Sequence, residues 1–354
     1  MPDKPEQLGI AIVGTGTIAN HHARSLSQHA PARMVAIYDI LGERAREFAQ
    51  QWQVPYVAPS LDDVLSRRDV DAVIVATPPY AHMEPTIAAL EAGKHVLCEK
   101  PFALDPHEAE QMTATAERTG KYLAVCSARQ RCGAAMRRAH ELCATGRLGE
   151  VYHVRSSQFR VRGRPGIDIL RDVHWFIDSK RAGGGALIDI GVYQIDALLW
   201  LLGNPRVKTV LCANKMGIGD PAPEPLKQDV EDHAVVMFTC ENGSSGILEI
   251  TWSSNISGAN TILVFGTKAG LRFGPLTYIE PGRLNPQRAV EERVLRGNIE
   301  DGSYAGFGDV SQQFVDAVLA GRQPYTPARD ALEVTRVIHA AYESARTGQA
   351  VQLS

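Results

Sequence analysis

At 354 residues the chain exceeds the usual reach of one hydrophobic core, so its length implies two domains and room to bury a nucleotide-sized ligand. A formal net charge of -3, a pI near 6.4 and no run of Lys and Arg leave no electrostatic footprint for nucleic acid or a phospholipid surface. The six cysteines show no CxxC pair and no Cys/His ligand spacing, the N-terminus lacks the basic-then-apolar pattern of a secretion signal, and no apolar stretch approaches the roughly 20 residues of a membrane span. Reduced thiols, no metal and a cytoplasmic setting are expected.

From the N-terminus, "IAIV" (Ile10 to Val13), "MVAIYD" (Met34 to Asp39), "DAVIVAT" (Asp71 to Thr77), "HVLCEK" (His95 to Lys100) and "YLAVCSA" (Tyr122 to Ala128) are short apolar runs that read as strands buried on both faces. Helix-like segments lie between them, among them "GERAREFAQQW", "AHMEPTIAALEAGK" and "PHEAEQMTATAERTG", the last two with a glycine stop. This alternation predicts an α/β domain over residues 1–128 with a doubly wound parallel sheet, whose ligands bind beyond the carboxyl ends of the strands.

The first strand runs into Gly14, Thr15, Gly16, Thr17, Ile18 and Ala19. Gly14 suits the tight turn, Gly16 lets the backbone approach a pyrophosphate, and small Ala19 allows close helix–strand packing below a helix N-terminus. Asp39 follows about 20 residues later at the end of the second strand, placed to accept hydrogen bonds from a ribose diol and to repel a 2′-phosphate. NAD is therefore expected, with NADP as the alternative. At the end of the fourth run, Glu99 and Lys100 would be carried off the sheet edge before Pro101 stops the strand.

Over residues 129–354 the pattern changes to longer strands, "EVYHVRSSQFRV", "RVKTVLCANKM", "DHAVVMFTC", "GILEITWSS" and "NTILVFGT", with hairpin signals at "CENGSSG" and "GTKAG". A second α/β domain with a large open, mostly antiparallel sheet is expected. It would carry one apolar helix from Asp189 to Gly203 after the Gly183-Gly184-Gly185 loop, a proline-rich loop from Gly217 to Asp229, and two closing helices near Asp309 to Gly321 and Arg329 to Gly348.

The glycine turn, "EKP" at Glu99 to Pro101, "GRLGEV" at Gly146 to Val151, "AGGGALIDIGVY" at Ala182 to Tyr193, "DHAVVMFTCENG" at Asp232 to Gly243 and the tail "SARTGQAVQL" together resemble the Gfo/Idh/MocA family of glucose-fructose oxidoreductase and inositol dehydrogenase over essentially the whole chain. The resemblance implies a nicotinamide-dependent dehydrogenase or reductase acting on a CH–OH group of a sugar or polyol. It also implies a homodimer or homotetramer formed through the open sheet, with no nucleic-acid or membrane partner.

It further assigns roles. Oxidising an alcohol requires a base and an electrostatic stabiliser at the carbinol oxygen, and the family places its EKP lysine, here Lys100, at that point. The family's D-x-x-x-H matches at Asp189, but Tyr193 stands at the histidine position. A phenol acting as base at neutral pH needs its surroundings to favour the ionised form by roughly 4 kcal/mol, part of which Lys100 would supply. Tyr193 is thus the expected acid/base, with Asp189 orienting a substrate hydroxyl; the alternative is a packing tyrosine and Lys100 acting alone.

Thr77, Pro78 and His82 follow the third strand where the family contacts its cofactor, although His82 has an equal claim to capping the next helix. Trp175, His174, Arg129 and Arg162 are the candidate substrate contacts. Aromatic residues are more often packing, and the cluster of Arg160, Arg162, Arg164 and Arg171 more often a solvated loop or subunit contact. His21, His22 and Cys98 read as structural. Two other functions share this scaffold: an enzyme that retains NAD and transfers hydride between sugars or cleaves glycosides, and an NAD(P)-sensing regulator without turnover. The acid–lysine pair argues against the regulator.

Overall fold

The computed structural model describes residues 7–283, 285–294 and 307–353. The first strands and helices in chain order are β1 (Leu8–Val13), α1 (Thr17–Ser27), β2 (Ala32–Tyr38), α2 (Gly42–Trp52), α3 (Leu61–Ser66), β3 (Ala72–Val75), α4 (Met83–Glu91), β4 (His95–Cys98), α5 (Pro106–Thr119) and β5 (Leu123–Val125), followed by a 3₁₀ turn over Cys126–Cys132. The five strands form a parallel sheet in the order β2-β1-β3-β4-β5. Alternate side chains of β1 enter different cores: Ala11 and Val13 join Val73, Val96 and Met112, while Ile10 and Ile12 join Ala19, Leu26 and Phe48. Both faces are therefore dry, which is why these strands are continuous apolar runs. Local signals set the connections. Asp105 accepts the Glu108 N–H at 3.0 Å to cap α5, Pro106 opens that helix, and Gly120 ends it in the left-handed region at φ 68°.

Register then places the functional edge. Val75 pairs with Val13 and with Cys98, Cys98 with Val125, and Val13 with Tyr38, so five strands finish in one row. The residues that follow them, namely Gly14, Asp39, Ala76 with Thr77, Glu99 with Lys100, and Cys126, all emerge at the same carboxyl edge.

The later elements are α6 (Ala134–Ala144), β6 (Val151–Phe159), α7 (Ser179–Ala182), a π turn (Leu187–Gly191), α8 (Val192–Leu201), β7 (Val207–Lys215), β8 (His233–Cys240), β9 (Ser245–Thr251), β10 (Thr261–Gly266), β11 (Gly270–Arg272), β12 (Thr277–Pro281), β13 (Ala289–Arg293), α9 (Phe307–Ala320), α10 (Ala328–Thr347) and β14 (Val351–Gln352). Among the described residues nine strands form the second sheet, in the order β13-β12-β11-β10-β6-β9-β8-β7-β14. It is mixed: β6 pairs parallel with β9, and the other pairs are antiparallel. Alternation is clean in β8, where Ala234, Val236 and Phe238 are buried while Met237 is exposed, so one face packs inward and the other stays open. The helical stretch Ser179–Leu201 is long and apolar enough by composition to cross a membrane, but its apolar window is 94% buried, which makes it the core helix of this unit.

The described residues divide into two compact units, one of Met1–Cys132 with Ala305–Thr335 and one of Gly133–Tyr304 with Arg336–Ser354. The expected division at 128/129 thus differs in two ways: the first crossing follows the 3₁₀ turn, and the chain later returns to the first unit. The return has a packing cause, since Val310, Phe314 and Val315 of α9 complete the core that holds Ile10 and Ile12, and Ala328 and Ala331 of α10 join the opposite core.

Candidate functional site

The glycine turn of the first unit is built for a ligand as well as for the chain. Gly14 has φ +94°, and a Cβ there would lie 2.7 Å from the Ala76 carbonyl oxygen, so the close passage of β1 past β3 excludes any side chain. Gly16 differs. A Cβ there would meet no protein atom within 4 Å, and Gly16 occupies the N-cap of α1 without any side-chain cap. Its smallness opens space in front of backbone N–H groups at the positive end of a helix, the arrangement that suits a pyrophosphate. Thr15, Gly16, Thr17, Asn20, His21, Arg24 and Arg44 line a groove of about 310 Å³ there, with Ile18 half-buried in the first turn.

Asp39 is fixed against this turn. Its Oδ2 accepts the Thr15 N–H at 2.8 Å and the Thr15 hydroxyl at 2.7 Å, and its Oδ1 accepts the Leu41 N–H at 2.8 Å. A carboxylate offers about four acceptor positions, so Oδ1 keeps capacity for a ribose hydroxyl. The donor set, the open glycine and the placed acid fit a dinucleotide.

Beyond β4, Glu99 is buried and Lys100 half-buried, with a cis peptide between Lys100 and Pro101. Glu99 Oε2 accepts the Lys100 N–H at 2.8 Å, and Oε1 lies 2.9 Å from His22 Nε2. Burial pushes this carboxyl up, but the hydrogen bond from His22, the Lys100 N–H and the Lys100 charge outweigh it and bring its pKa down to about 2. Glu99 is thus an anion that holds the lysine's backbone.

His82 sits at the N-cap position of α4 without a side-chain cap bond, which corrects the helix-cap reading. Its ring instead bridges two loops, with Nδ1 2.9 Å from the Pro101 carbonyl oxygen and Nε2 2.9 Å from that of Thr77. Burial pushes its pKa down, against the opposing hydrogen bonds to the Thr77 and Pro101 carbonyls and the charge of Glu99, and a neutral ring donates to only one of the two carbonyls at a time. The Thr77 hydroxyl donates to the Ala81 carbonyl at 2.8 Å, which closes the loop that also contains Pro78. Arg129 is half-buried in the 3₁₀ turn after β5. The first unit therefore brings the glycine turn, Asp39, Thr77, Pro78, Glu99 and Lys100 to one edge, with His82 buried behind them.

In the second unit Asp189 lies in the π turn and Tyr193 in the first turn of α8, both buried, so the expected helix begins earlier and wider than an α-helical reading implies. The Asp189 carboxylate accepts the Trp252 indole N–H at 2.9 Å, and Arg160 Nη1 lies 3.8 Å from the same oxygen. Of the arginine cluster, Arg164 forms a buried bidentate pair with Asp168. The Arg162 guanidinium donates to the Val161 and Ser254 carbonyls at 2.7 and 3.0 Å, so both of these arginines brace loops. Arg171 is exposed, and Arg160 is the arginine seen beside the acid. Trp175 stacks on Phe176 with centroids 3.9 Å apart, and neighbouring His174 is exposed.

Two residues unmarked by sequence reasoning set the helix that carries Asp189. Buried Glu231 accepts the N–H groups of Gly185 and Leu187 at 2.9 and 2.8 Å and the Tyr342 hydroxyl at 3.0 Å. A Cβ at Gly185 would lie 1.9 Å from the Glu231 carbonyl oxygen, and one at Gly184 would lie 2.0 Å from the Tyr342 hydroxyl, which explains the glycine run. The signal was present in "VEDHAVV", where Glu231 stands beside a motif read only for its strand.

Comparison with known proteins agrees with this geometry. Residues 8–127 match the family described as "Oxidoreductase family, NAD-binding Rossmann fold", and residues 136–272 match the "GFO/IDH/MocA C-terminal domain". The chain is 29% identical to the D-glucoside 3-dehydrogenase of Escherichia coli (strain K12), over 98% of this chain and 97% of that protein. Among solved structures, GenD2 from gentamicin A biosynthesis in complex with NAD superposes with a TM-score of 0.78 at 29% identity, covering 99% of this chain and 97% of that one. An oxidoreductase domain protein from Kribbella flavida superposes with a TM-score of 0.86 at 27% identity, covering 99% and 100%.

Proposed function

This chain belongs to the Gfo/Idh/MocA family of NAD-dependent oxidoreductases, and we propose that it interconverts a secondary hydroxyl and a ketone on a sugar or polyol, with glucosides the first class to test. The observation that carries the reading is the shared edge of the first sheet. There the NAD-type glycine turn and Asp39 emerge in the same row as the Glu99–Lys100 turn. NAD, when bound, supplies the acceptor for the hydride that leaves the carbinol carbon. Lys100 donates a hydrogen bond to the carbinol oxygen and stabilises the negative charge that develops on it. On the family's D-x-x-x-H pattern Tyr193 is assigned the acid/base role, and Asp189, oriented by the Trp252 indole, the role of accepting a hydrogen bond from a substrate hydroxyl.

The test is NADH formation from glucosides, anhydrosugars and inositols by the wild type and by Lys100→Met and Tyr193→Phe. Lys100→Met should lose about 10²- to 10³-fold in kcat with NADH binding retained. Tyr193→Phe should lose at least about 10²-fold. Wild-type turnover by Lys100→Met would sink the lysine's role, and wild-type turnover by Tyr193→Phe would leave the tyrosine as packing.

The open face of the second sheet suits a second copy of the chain. Leu211 and Met237 form a cross-strand pair there, both 46% exposed, and Met237 also pairs with Ile247. Light scattering should find an oligomer that Met237→Lys dissociates; a monomeric wild type would refute this. Six free cysteines support a reducing, cytoplasmic location, which cell fractionation reads directly.

A further inference from the structure

The turn that carries Lys100 is braced from behind by a chain of buried side chains beginning on α9, far along the sequence. Ser311 Oγ lies 2.7 Å from His22 Nδ1, His22 Nε2 lies 2.9 Å from Glu99 Oε1, and Glu99 Oε2 accepts the Lys100 N–H at 2.8 Å. Ser311 and His22 are 0% exposed and Glu99 is 4% exposed. The Cys126 thiol adds a further hydrogen bond to Glu99.

Two chemical uses can be set aside. A serine–histidine–acid chain resembles a hydrolase's nucleophilic apparatus, but a fully buried Ser311 is reached by no substrate. His22, Glu99 and Cys126 also gather as metal ligands do, with ligand atoms within 4.8 Å of one another. His22 and Glu99 are already hydrogen-bonded to each other, however, and burial holds the Cys126 thiol in its protonated form. What remains is orientation.

We infer that Ser311 and His22 are positioning residues for Lys100: the Ser311 hydroxyl donates to Nδ1 and so fixes the neutral ring as the Nε2–H tautomer, which holds Glu99 and, through it, the lysine's backbone. A carboxylate only accepts, so Nε2 must carry the hydrogen. A neutral imidazole has one N–H, so Nδ1 must accept, and a hydroxyl is the partner able to donate to it. Without that hydroxyl the ring is free to change tautomer and turn a lone pair toward Glu99. A displacement of about 1 Å at a reacting group costs on the order of 10²-fold in rate.

The inference rests on the role proposed for Lys100, so the experiment separates the two. Full-length wild type, Ser311→Ala and Ser311→Thr are labelled with ¹⁵N-histidine, and the His22 tautomer is read by NMR beside NADH binding and steady-state kinetics, with Lys100→Met in parallel. The expected wild-type ring is protonated on Nε2 alone. Ser311→Ala should mix tautomers and lower kcat about 10- to 100-fold while NADH binding and substrate KM stay within about twofold, and Ser311→Thr should restore both tautomer and rate. If Lys100→Met keeps wild-type turnover, the reading of the lysine fails. If Lys100→Met is inactive but Ser311→Ala keeps the wild-type tautomer or the wild-type kcat, the relay falls. A wild-type ring protonated on both nitrogens at pH 7 would also overturn it.

Discussion

Glu99 in the first unit and Glu231 in the second are 4% and 5% exposed, and each accepts backbone N–H donors from the segment it holds: Lys100 for one, Gly185 and Leu187 for the other. Their charges fare differently. Burial raises both carboxyls, but Glu99 accepts hydrogen bonds from the His22 ring and the Lys100 N–H beside the Lys100 ammonium, and together these turn the balance and bring it down to about 2. The donors seen at Glu231 are neutral, the N–H groups of Leu187, Gly185 and Glu231 itself and the Tyr342 phenol, and its carboxyl stays raised by burial. Hydrogen bonds from uncharged donors soften the desolvation of an acid, and a cation added beside them reverses it. The first unit keeps an anion at its ligand edge, and the second uses an acid chiefly to pin a helix.

The glycines repeat this division between ligand and packing, and they give the largest expected effects. In Gly185→Ala the new methyl would sit 1.9 Å from the Glu231 carbonyl oxygen, so backbone must move and the cap on the Asp189 helix is lost. About 3 kcal/mol or more of destabilisation should follow, read as a lowered thermal midpoint or as failure to fold. In Gly16→Ala no protein atom lies within 4 Å of the added carbon. That variant should melt near the wild-type temperature and bind NADH at least about tenfold more weakly, since the methyl occupies the space through which the pyrophosphate approaches. Calorimetry with NADH titration decides the matter. Equal destabilisation of the two variants would erase the distinction.

How far the sequence revealed this follows from the range of each interaction. The first sheet was legible because parallel strands buried on both faces are unbroken apolar runs, and the glycine turn with Asp39 is local chemistry at fixed spacing. The run "YLAVCSA" looked like one strand through Ala128, but β5 ends at Val125, and Cys126 turns away toward Glu99. Apolarity alone cannot mark that exit. The return of α9 was hidden for a related reason: amphipathic spacing predicts a buried face but not which sheet will bury it. Trp252 bonds Asp189 across 63 positions and Glu231 reaches Leu187 across 44, so neither partnership leaves a local pattern. The π turn at Asp189 is likewise set by packing, and the pattern of apolar residues reads as plain α-helix.

The two glutamates should also separate on titration, with opposite signs. The Glu99 carboxyl is depressed in the folded protein relative to about 4.3 in the unfolded chain, so its contribution is complete above that value and is lost as pH falls toward about 2. The loss amounts to roughly 3 kcal/mol across that window. Glu231 is raised, so the folded state binds its proton more readily than the unfolded chain does, and stability declines as pH rises from the unfolded value through the folded one. Acid therefore weakens the protein through Glu99 and relieves it through Glu231. Glu99→Gln should flatten the acid limb of a stability–pH curve measured by urea unfolding between about pH 2 and 6, whereas Glu231→Gln should steepen it, whatever either substitution does to stability at pH 7. If Glu99→Gln leaves the acid limb as steep as in the wild type, the Lys100 charge and the hydrogen bonds beside it do not sustain this anion, and the contrast between the units fails where it is sharpest.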